Sequence, residues 1–177
     1  GLVENVLDFS RHEQGRKQYE FEATDLAMLV RETTRVMQTC ATEREIELTV
    51  ETAGEPEPVE ADGQALQQVL VNLLDNAIKH SPPQSRIEVG VQFNAAHAQF
   101  WVQDHGEGIP PEDHKKIFER FYRRGSEMRR KTQGVGLGLA IVKYVTEAHG
   151  GSVAVASAAG QGSRFTVTLP LRQPGNL

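Results

Sequence analysis

Cysteine, long apolar runs and an excess of positive charge are all scarce in these 177 residues. The single thiol, Cys40, excludes a disulfide framework and a cysteine-held zinc cluster. Its place among Leu29, Val36 and Met37 predicts a packed thiol in a reducing compartment. No apolar stretch approaches the length needed to span a bilayer and no basic-then-apolar leader opens the chain, so the polypeptide as given is expected to be soluble, without membrane contact of its own. Lys and Arg number 19 against 24 Asp and Glu, a formal charge of −5, which argues against coating nucleic acid or an anionic membrane. Any basic site must be local. Internal repeats and low-complexity runs are missing too. With 38% hydrophobic and 24% charged residues, the chain suffices for one well-packed domain and an appendage.

What is present is organised around residues 67–80, QQVLVNLLDNAIKH. At helical pitch Leu66, Val69, Leu70, Leu73, Leu74 and Ala77 share one face, and Gln68, Asn72, Asp75, Asn76 and Lys79 share the other. A surface helix ordinarily carries mixed Glu and Lys pairs on its wet side, whereas two asparagines a turn apart with a lysine beyond suit a metal-bound phosphate chain. An amide oxygen is a hard, neutral ligand for Mg²⁺, which takes one or two protein oxygens when phosphates and water supply the rest. Lys79 would offset phosphate charge. Taken by itself, the helix reads first as amphipathic with solvated asparagines; the remaining segments change that balance.

Ahead of it, Leu2, Val3, Val6, Leu7 and Phe9 have helical spacing, the end of a helix begun before the first residue, with Gly15 as its C-cap and a polar linker to Glu22. Residues 1–21 are therefore expected to end an upstream module, 22–171 to form the main domain and 172–177 an unimportant tail. Thr24 or Asp25 can cap a helix with the stripe Leu26, Leu29, Val30, Thr33, Val36, Met37, Cys40 and Ala41. A strand through Ile46, Leu48 and Val50 and a short extended piece at Val59 lead to Asp62, an N-cap for the central helix, which Pro82-Pro83 terminate. Alternation at Ile87, Val89, Val91 and Phe93, and again at Ala98, Phe100 and Val102, predicts a β-hairpin. There follow a short helix over 112–121, a basic, glycine-bearing lid over 122–136 and a helix over 137–149 packed through Leu137, Ala140, Ile141, Tyr144, Val145 and Ala148. Strands over 152–157 and 164–169 close the chain. Without regular βαβ alternation, this order predicts an α+β fold, a two-layer α/β sandwich of mixed sheet against helices.

Asp104 follows a strand and precedes Gly106 and Gly108. A carboxylate there can accept a hydrogen bond from the amine at position six of adenine, which guanine lacks, and the glycines let the backbone approach a ring. Alone, the segment is equally a turn after a strand, and it lacks the spacing of a calcium loop. Gly134-Val135-Gly136-Leu137-Gly138-Leu139 opens a helix, where free amides favour phosphate. It is neither a dinucleotide fingerprint nor a Walker loop. Arg123, Arg124, Arg129, Arg130 and Lys131 give the lid charges able to reach a triphosphate or simply to stay solvated. Phe118 and Phe121 read as core residues of the short helix or as a hinge plug for the lid. His97, His105, His114 and His149 are expected on strand, loop or helix surfaces, with no metal-ligand grouping.

In order, these segments resemble the catalytic ATP-binding domain of two-component sensor histidine kinases. The asparagine box is Asn72-Leu73-Leu74-Asp75-Asn76-Ala77-Ile78-Lys79-His80, and the first glycine box Asp104-His105-Gly106-Glu107-Gly108 runs on into Ile109. The phenylalanine box is Phe118-Glu119-Arg120-Phe121, the second glycine box runs from Gly134 to Leu139, and Gly160-Gln161-Gly162-Ser163 resembles the last glycine turn. The resemblance covers about residues 22–170. It implies a Bergerat-type sandwich shared with gyrase-like ATPases, with ATP and Mg²⁺ as cofactors. It also implies that the box residues, including Ile109, Phe118, Phe121, Gly134, Val135, Gly136, Leu137, Gly138, Leu139 and Ser163, line the nucleotide. Asn76 would hold the metal with Asn72 beside it, Lys79 and Arg123 would touch phosphates, Tyr122 would sit near the nucleotide and Asp104 would read adenine. His80 stands where the family often has tyrosine, and Ser163 keeps the hydroxyl of the more usual threonine.

Asn72 matches the position at which gyrase-like ATPases carry a water-activating glutamate, and an amide cannot take that proton. The resemblance thus implies a protein-histidine kinase that holds ATP intact and transfers its γ-phosphoryl group by positioning and charge neutralisation. None of the six histidines lies in the family's phosphoacceptor context; His12-Glu13 is followed by Gln14-Gly15. The acceptor is expected upstream, in a dimerisation and phosphotransfer domain of the same protein, for relay to the aspartate of a response-regulator receiver domain. The parent would be a homodimer and this domain cytoplasmic, with or without an inner-membrane anchor. Two rivals stand beside this: a gyrase-like or chaperone-like ATPase that releases phosphate without an acceptor, and a degenerate nucleotide-sensing module. A nucleic-acid module fits neither charge nor motifs.

Overall fold

The computed structural model describes residues 18–123 and 136–173. In chain order they form β1 (Glu22–Thr24), α1 (Leu26–Thr42), β2 (Glu47–Ala53), β3 (Val59–Ala61) and α2 (Gly63–His80). Then come β4 (Arg86–Phe93), β5 (His97–Asp104), two 3-10 turns, α3 (Gly138–Ala148), β6 (Ser152–Ser157) and β7 (Ser163–Pro170). The main sheet runs β2-β4-β5-β7-β6, parallel between β2 and β4 and antiparallel elsewhere. Parallel neighbours need a long crossover, and α2 lies within the connection from β2 to β4.

One face of the sheet is covered. Ile87, Val89 and Val91 of β4, Ala98, Phe100 and Val102 of β5, and Phe165, Val167 and Leu169 of β7 are all buried. They form one core with Leu66, Val69, Leu70, Leu73, Leu74 and Ala77 of α2 and with Ile141, Val142 and Val145 of α3. The expected α+β sandwich is therefore the one observed. Residues between these point to the other face, where Gln92 donates to Gln99 at 2.8 Å and Gln99 donates to Thr168 at 2.9 Å. On that face Trp101 lies over Gly90, where a Cβ would come within 1.9 Å of the indole, and the Arg164 guanidinium sits 4.3 Å from the ring centroid.

Of the two candidate caps for α1, Asp25 is the one used, its carboxylate accepting from the Met28 amide at 2.8 Å. Thr24 instead ends β1, a strand the sequence did not suggest, paired antiparallel with β3. Asp62 caps α2 as expected, accepting from Ala65 at 3.0 Å. Ser81 turns extended ahead of Pro82, as a residue before proline must.

Both flanking helices are rotated from the expected stripes. In α1, Ala27 and Thr34 are buried while Val36 is 66% exposed and Cys40 is exposed, so the thiol is not packed. In α3, Thr146 and His149 are buried and Ala148 is exposed. The physical reason is common to both: Thr34 returns its hydroxyl to the Val30 carbonyl at 2.8 Å and Thr146 to Val142 at 2.7 Å, so these two threonines enter the core already hydrogen-bonded. The short helix expected over 112–121 is replaced by 3-10 turns at Pro111–Asp113 and Lys116–Phe118. Pro110 and Pro111 supply no amide hydrogens, and so short a segment cannot nucleate an α-helix on its own.

His149, expected at a surface, is completely buried at the end of α3. Its Nδ1 lies 2.8 Å from the Val145 carbonyl and its Nε2 3.1 Å from the Asp62 amide, so Nδ1 donates and Nε2 accepts, a neutral ring. Tyr19 and Phe21 pack on it with ring centroids 5.0 and 4.9 Å away. Beyond Pro170 the chain is also tied down: the Gln173 amide group donates to the carbonyls of Glu60 and His149, both at 3.0 Å.

Burial pushes the His149 imidazole below its ordinary value of 6.5, against the opposing pull of the Val145 carbonyl and the Asp62 charge. With the folded-state pKa depressed, the unfolded chain binds the proton first, so stability falls as pH drops below about 6.5 until the folded ring also protonates. Urea midpoints at pH 5.5 and 7.5 should show the wild type weaker at the lower pH. His149→Gln should show a smaller difference between the two pH values.

Candidate nucleotide site

Three structural units meet beside α2: its polar face, the loop after β5 and the start of α3. The deep burial of Leu73, Leu74, Ala77 and Ile78 fixes the rotation of α2, leaving Asn72, Asn76 and Lys79 half-buried along one edge and His80 exposed at the end. Lys79 is held by Asp75 one turn back, Nζ to Oδ2 2.5 Å. Asn72 is the unusual member. Its Nδ2 is buried and finds no hydrogen-bond partner among the described residues. Its Oδ1 lies 3.6 Å from where a Cβ on Gly138 would stand.

Gly138 is the first residue of α3, and this helix has no side-chain cap and no acidic residue in its first turn. Its leading amides are thus left for an anion. Gly136, at φ +75°, passes so close to the backbone of Phe121 and Tyr122 that a Cβ there would come within 3.0 Å of Phe121 Cα. The Phe121 amide in turn donates to the Gly136 carbonyl at 2.9 Å. Leu137 is buried and Leu139 half-buried.

The loop from Asp104 to Ile109 forms the opposite wall. Asp104 ends β5 at 3% exposure, its Oδ1 accepting from the Gly106 amide at 2.9 Å. Burial raises its pKa above the ordinary 3.8, opposed by hydrogen bonds from the backbone of Gly106 and Ser163 and by the nearby His80 and His105. Gly106 lies against the end of α2, where a Cβ would come within 2.1 Å of the His80 carbonyl oxygen. The His80 ring reaches the same loop, Nδ1 3.5 Å from Glu107 Oε1.

This loop is zipped to the turn between β6 and β7. The Gly160 amide donates to the Glu107 carbonyl at 2.7 Å and the Gly162 amide to the Gly106 carbonyl at 3.1 Å. Gly108, at φ +70°, would place a Cβ 1.9 Å from the Ala158 carbonyl oxygen. Ser157 joins the two segments through its hydroxyl: the Ile109 amide donates to it at 2.7 Å and it donates to the Gly162 carbonyl at 2.7 Å. Ser157 was not among the residues singled out from the sequence, because a serine ending a strand carries no signal of its own.

The structure thus brings Asp104, Gly106, Gly108, Ile109 and Ser163 into one unit, and sets Asn72 against Gly138. It separates the two phenylalanines. Phe118 packs edge-on to Phe165 of the core at 6.2 Å between centroids, whereas Phe121 is 64% exposed with φ +58°, so the expectation of a core role for both fails. A left-handed Phe121 follows from the reversal that brings its amide to Gly136. The Tyr122 hydroxyl donates to Asp113 at 2.9 Å and Arg123 is exposed. Gly134 and Val135, with Arg124, Arg129, Arg130 and Lys131, lie outside the described residues. Among the described residues, no group of three or more His, Cys, Asp and Glu side chains is placed to hold a metal, and no helix is long and apolar enough to cross a membrane.

Residues 61–173 match the family described as histidine kinase-, DNA gyrase B- and HSP90-like ATPase. The circadian input-output histidine kinase CikA of Synechococcus elongatus is 35% identical over 171 residues, 96% of this chain and 23% of that protein. The alginate biosynthesis sensor protein KinB of Pseudomonas aeruginosa is 34% identical over 170 residues, 96% of this chain and 28% of that one. The chain spans about a quarter of the length of these two relatives. Among solved structures, full-length ShkA in complex with AMPPNP superposes with a TM-score of 0.83 at 31% identity, over 96% of this chain and 35% of that one. The catalytic domain of the histidine kinase ThkA superposes with a TM-score of 0.75 at 29% identity, over 86% of this chain and 97% of that one. With the family pattern matched across most of its length and the sandwich shared with solved kinase domains, the chain belongs to the histidine kinase-, DNA gyrase B- and HSP90-like ATPase family, as a histidine kinase ATP-binding domain.

Proposed function

We propose that this chain holds Mg²⁺–ATP between α2, the 104–109 loop and the start of α3. It would donate the γ-phosphoryl group to a histidine of an upstream dimerisation and phosphotransfer domain, for relay to a response-regulator aspartate. The observation that carries this is the buried, unpartnered amide of Asn72 beside the uncapped end of α3. Leaving such a donor unpaired costs about 1–3 kcal/mol, and a phosphate oxygen or its hydration water would satisfy it.

Asp104 takes the adenine amine, on a loop that Gly106 seats against the His80 carbonyl. Asn76 and Asn72 fit a hydrated Mg²⁺ through neutral amide oxygens. The ion, when bound, neutralises charge on the β- and γ-phosphates. Lys79, oriented by Asp75, adds a positive charge on the phosphate side, with Arg123 and Tyr122 approaching from the chain beyond Phe121. Since Asn72 cannot accept a proton from water, that position gives hydrolysis no base and the phosphoryl group would wait for an imidazole. Residues 1–21 would link to the upstream module, the parent would be a homodimer with or without a membrane anchor, and this domain would face the cytoplasm.

Three measurements test this. Calorimetric titration should show Mg²⁺–ATP binding, weakened about tenfold or more in Asp104→Asn, because a charge-assisted hydrogen bond contributes roughly 1.5–3 kcal/mol. Wild type and variant binding equally would remove Asp104 from the site. The same titration against pH follows from the raised pKa of Asp104: the ionised carboxylate accepts more strongly than the protonated acid, so affinity is full above that pKa and declines on acidification, beginning above the ordinary range near 3.8. Asp104→Asn should flatten the profile. Finally, γ-labelled ATP should leave this fragment essentially unlabelled yet label a supplied dimerisation domain, and Asn72→Ala should cut that transfer at least about a hundredfold. Steady phosphate release by the fragment alone would favour an ATPase instead.

A further inference from the structure

We propose that Ser157 is a positioning residue that sets the base preference of the site by fixing which way the Ser163 hydroxyl points. The inference rests on the nucleotide reading above and concerns how its base end discriminates. In the strand register, Asp104 of β5 pairs with Ser163 of β7, and Ser163 pairs with Ser157 of β6. Cross-strand partners project to the same face of a sheet, so the three side chains stand in a row at the end of the three strands.

A hydroxyl has one hydrogen to give and two lone pairs to receive. The Ser157 hydroxyl oxygen lies 2.7 Å from the Gly162 carbonyl oxygen, and two oxygens so close need a proton between them. Only Ser157 can supply it. That hydrogen being committed, the 2.9 Å contact between Ser157 Oγ and Ser163 Oγ requires the hydrogen of Ser163. The Ile109 amide, 2.7 Å from Ser157 Oγ, takes the remaining lone pair. Ser157 is thus saturated, and Ser163 is left with lone pairs alone to offer.

The consequence is chemical. Beside the Asp104 carboxylate, itself an acceptor when ionised, the wall presents a second acceptor where a rotating hydroxyl would present either character. Two acceptors suit the amine of adenine and oppose the oxo group of guanine, which needs a donor. The same Ser157 oxygen clamps the 104–109 loop to the 158–163 turn, so orientation and loop placement share one atom.

The test compares the affinities of Mg²⁺–ATP and Mg²⁺–GTP by calorimetry for wild type, Ser157→Ala, Ser157→Thr and Ser163→Ala, with inorganic tripolyphosphate as a probe of the phosphate end. Ser157→Ala should lower the ATP-to-GTP affinity ratio at least about tenfold while leaving tripolyphosphate binding within twofold. Ser157→Thr, which keeps the hydroxyl, should restore the ratio. Ser163→Ala should lower the ratio as well, and the double variant should fall no further than the lower single one, as expected for residues acting through one contact. A merely structural role would shift melting temperature and weaken both nucleotides alike, leaving the ratio unchanged, and that result would overturn the proposal. Should Ser157→Ala not fold, an unchanged ratio in Ser163→Ala overturns it equally. Wild type that binds no adenine nucleotide would instead sink the underlying functional reading.

Discussion

The rotation of α2 about its own axis is the constraint on which the site depends. Each large apolar side chain that α2 buries contributes about 1.5–3 kcal/mol relative to exposure, and Leu66, Leu70, Leu73 and Leu74 are all fully buried. Turning the helix by one residue would expose part of this set, so the packing holds Asn72, Asn76 and Lys79 at a fixed azimuth. Two further contacts depend on that setting: the His80 carbonyl against Gly106 and the Asn72 amide against Gly138. A hydrophobic stripe thereby places polar chemistry it never touches.

Close backbone approach is the second organising element, and it explains where glycine is required. At Gly106, Gly108 and Gly162 a Cβ would come within 2.1 Å or less of a carbonyl oxygen. Backbone carbonyls cannot swing aside as a flexible side chain can, so a substitution would unzip the loop from the turn or part it from α2. Gly160, by contrast, has open space around it and is held to glycine by its φ of +76° alone.

The sequence disclosed those parts of the molecule whose pattern is periodic and local. The apolar face of α2, its Asp62 cap, the alternation of β4 and β5 and the motif residues around Asp104 all appear in the structure where expected. Features that arise only from packing did not show. Glu22–Thr24 has no alternation of its own and becomes a strand because β3 pairs with it. Thr34, Thr146 and His149 look like surface residues by composition, yet each enters the core with a polar atom bonded to a carbonyl one turn back, and His149 accepts from the Asp62 amide as well. Val36 and Cys40 suffer the converse error, apolar residues turned outward once the threonines take the inner face. Ser157 is invisible for another reason: its three partners come from two segments that the chain separates and the sheet edge reunites.

The two ends of the site are built from different materials, and this bears on how ATP would be held. At the base end Asp104 and Ser157 are already committed by hydrogen bonds and Gly106 and Gly108 by close backbone contact, and such a surface would reorganise little when a ring arrives. At the proposed phosphate end the groups on offer are an amide with no partner among the described residues, the leading amides of α3 and a lysine tied to an aspartate. The amides would gain partners, and the lysine a second one, when an anion enters, so charge neutralisation there would accompany binding. A donor of phosphoryl groups benefits from that division. On the proposed function, the adenine anchor would stay rigid through a catalytic cycle while the groups around the phosphates change partners as the γ-phosphoryl group departs. Because Asn72, set against Gly138, is an amide and not a carboxylate, that position would offer water no proton acceptor and so would not favour its taking the group first.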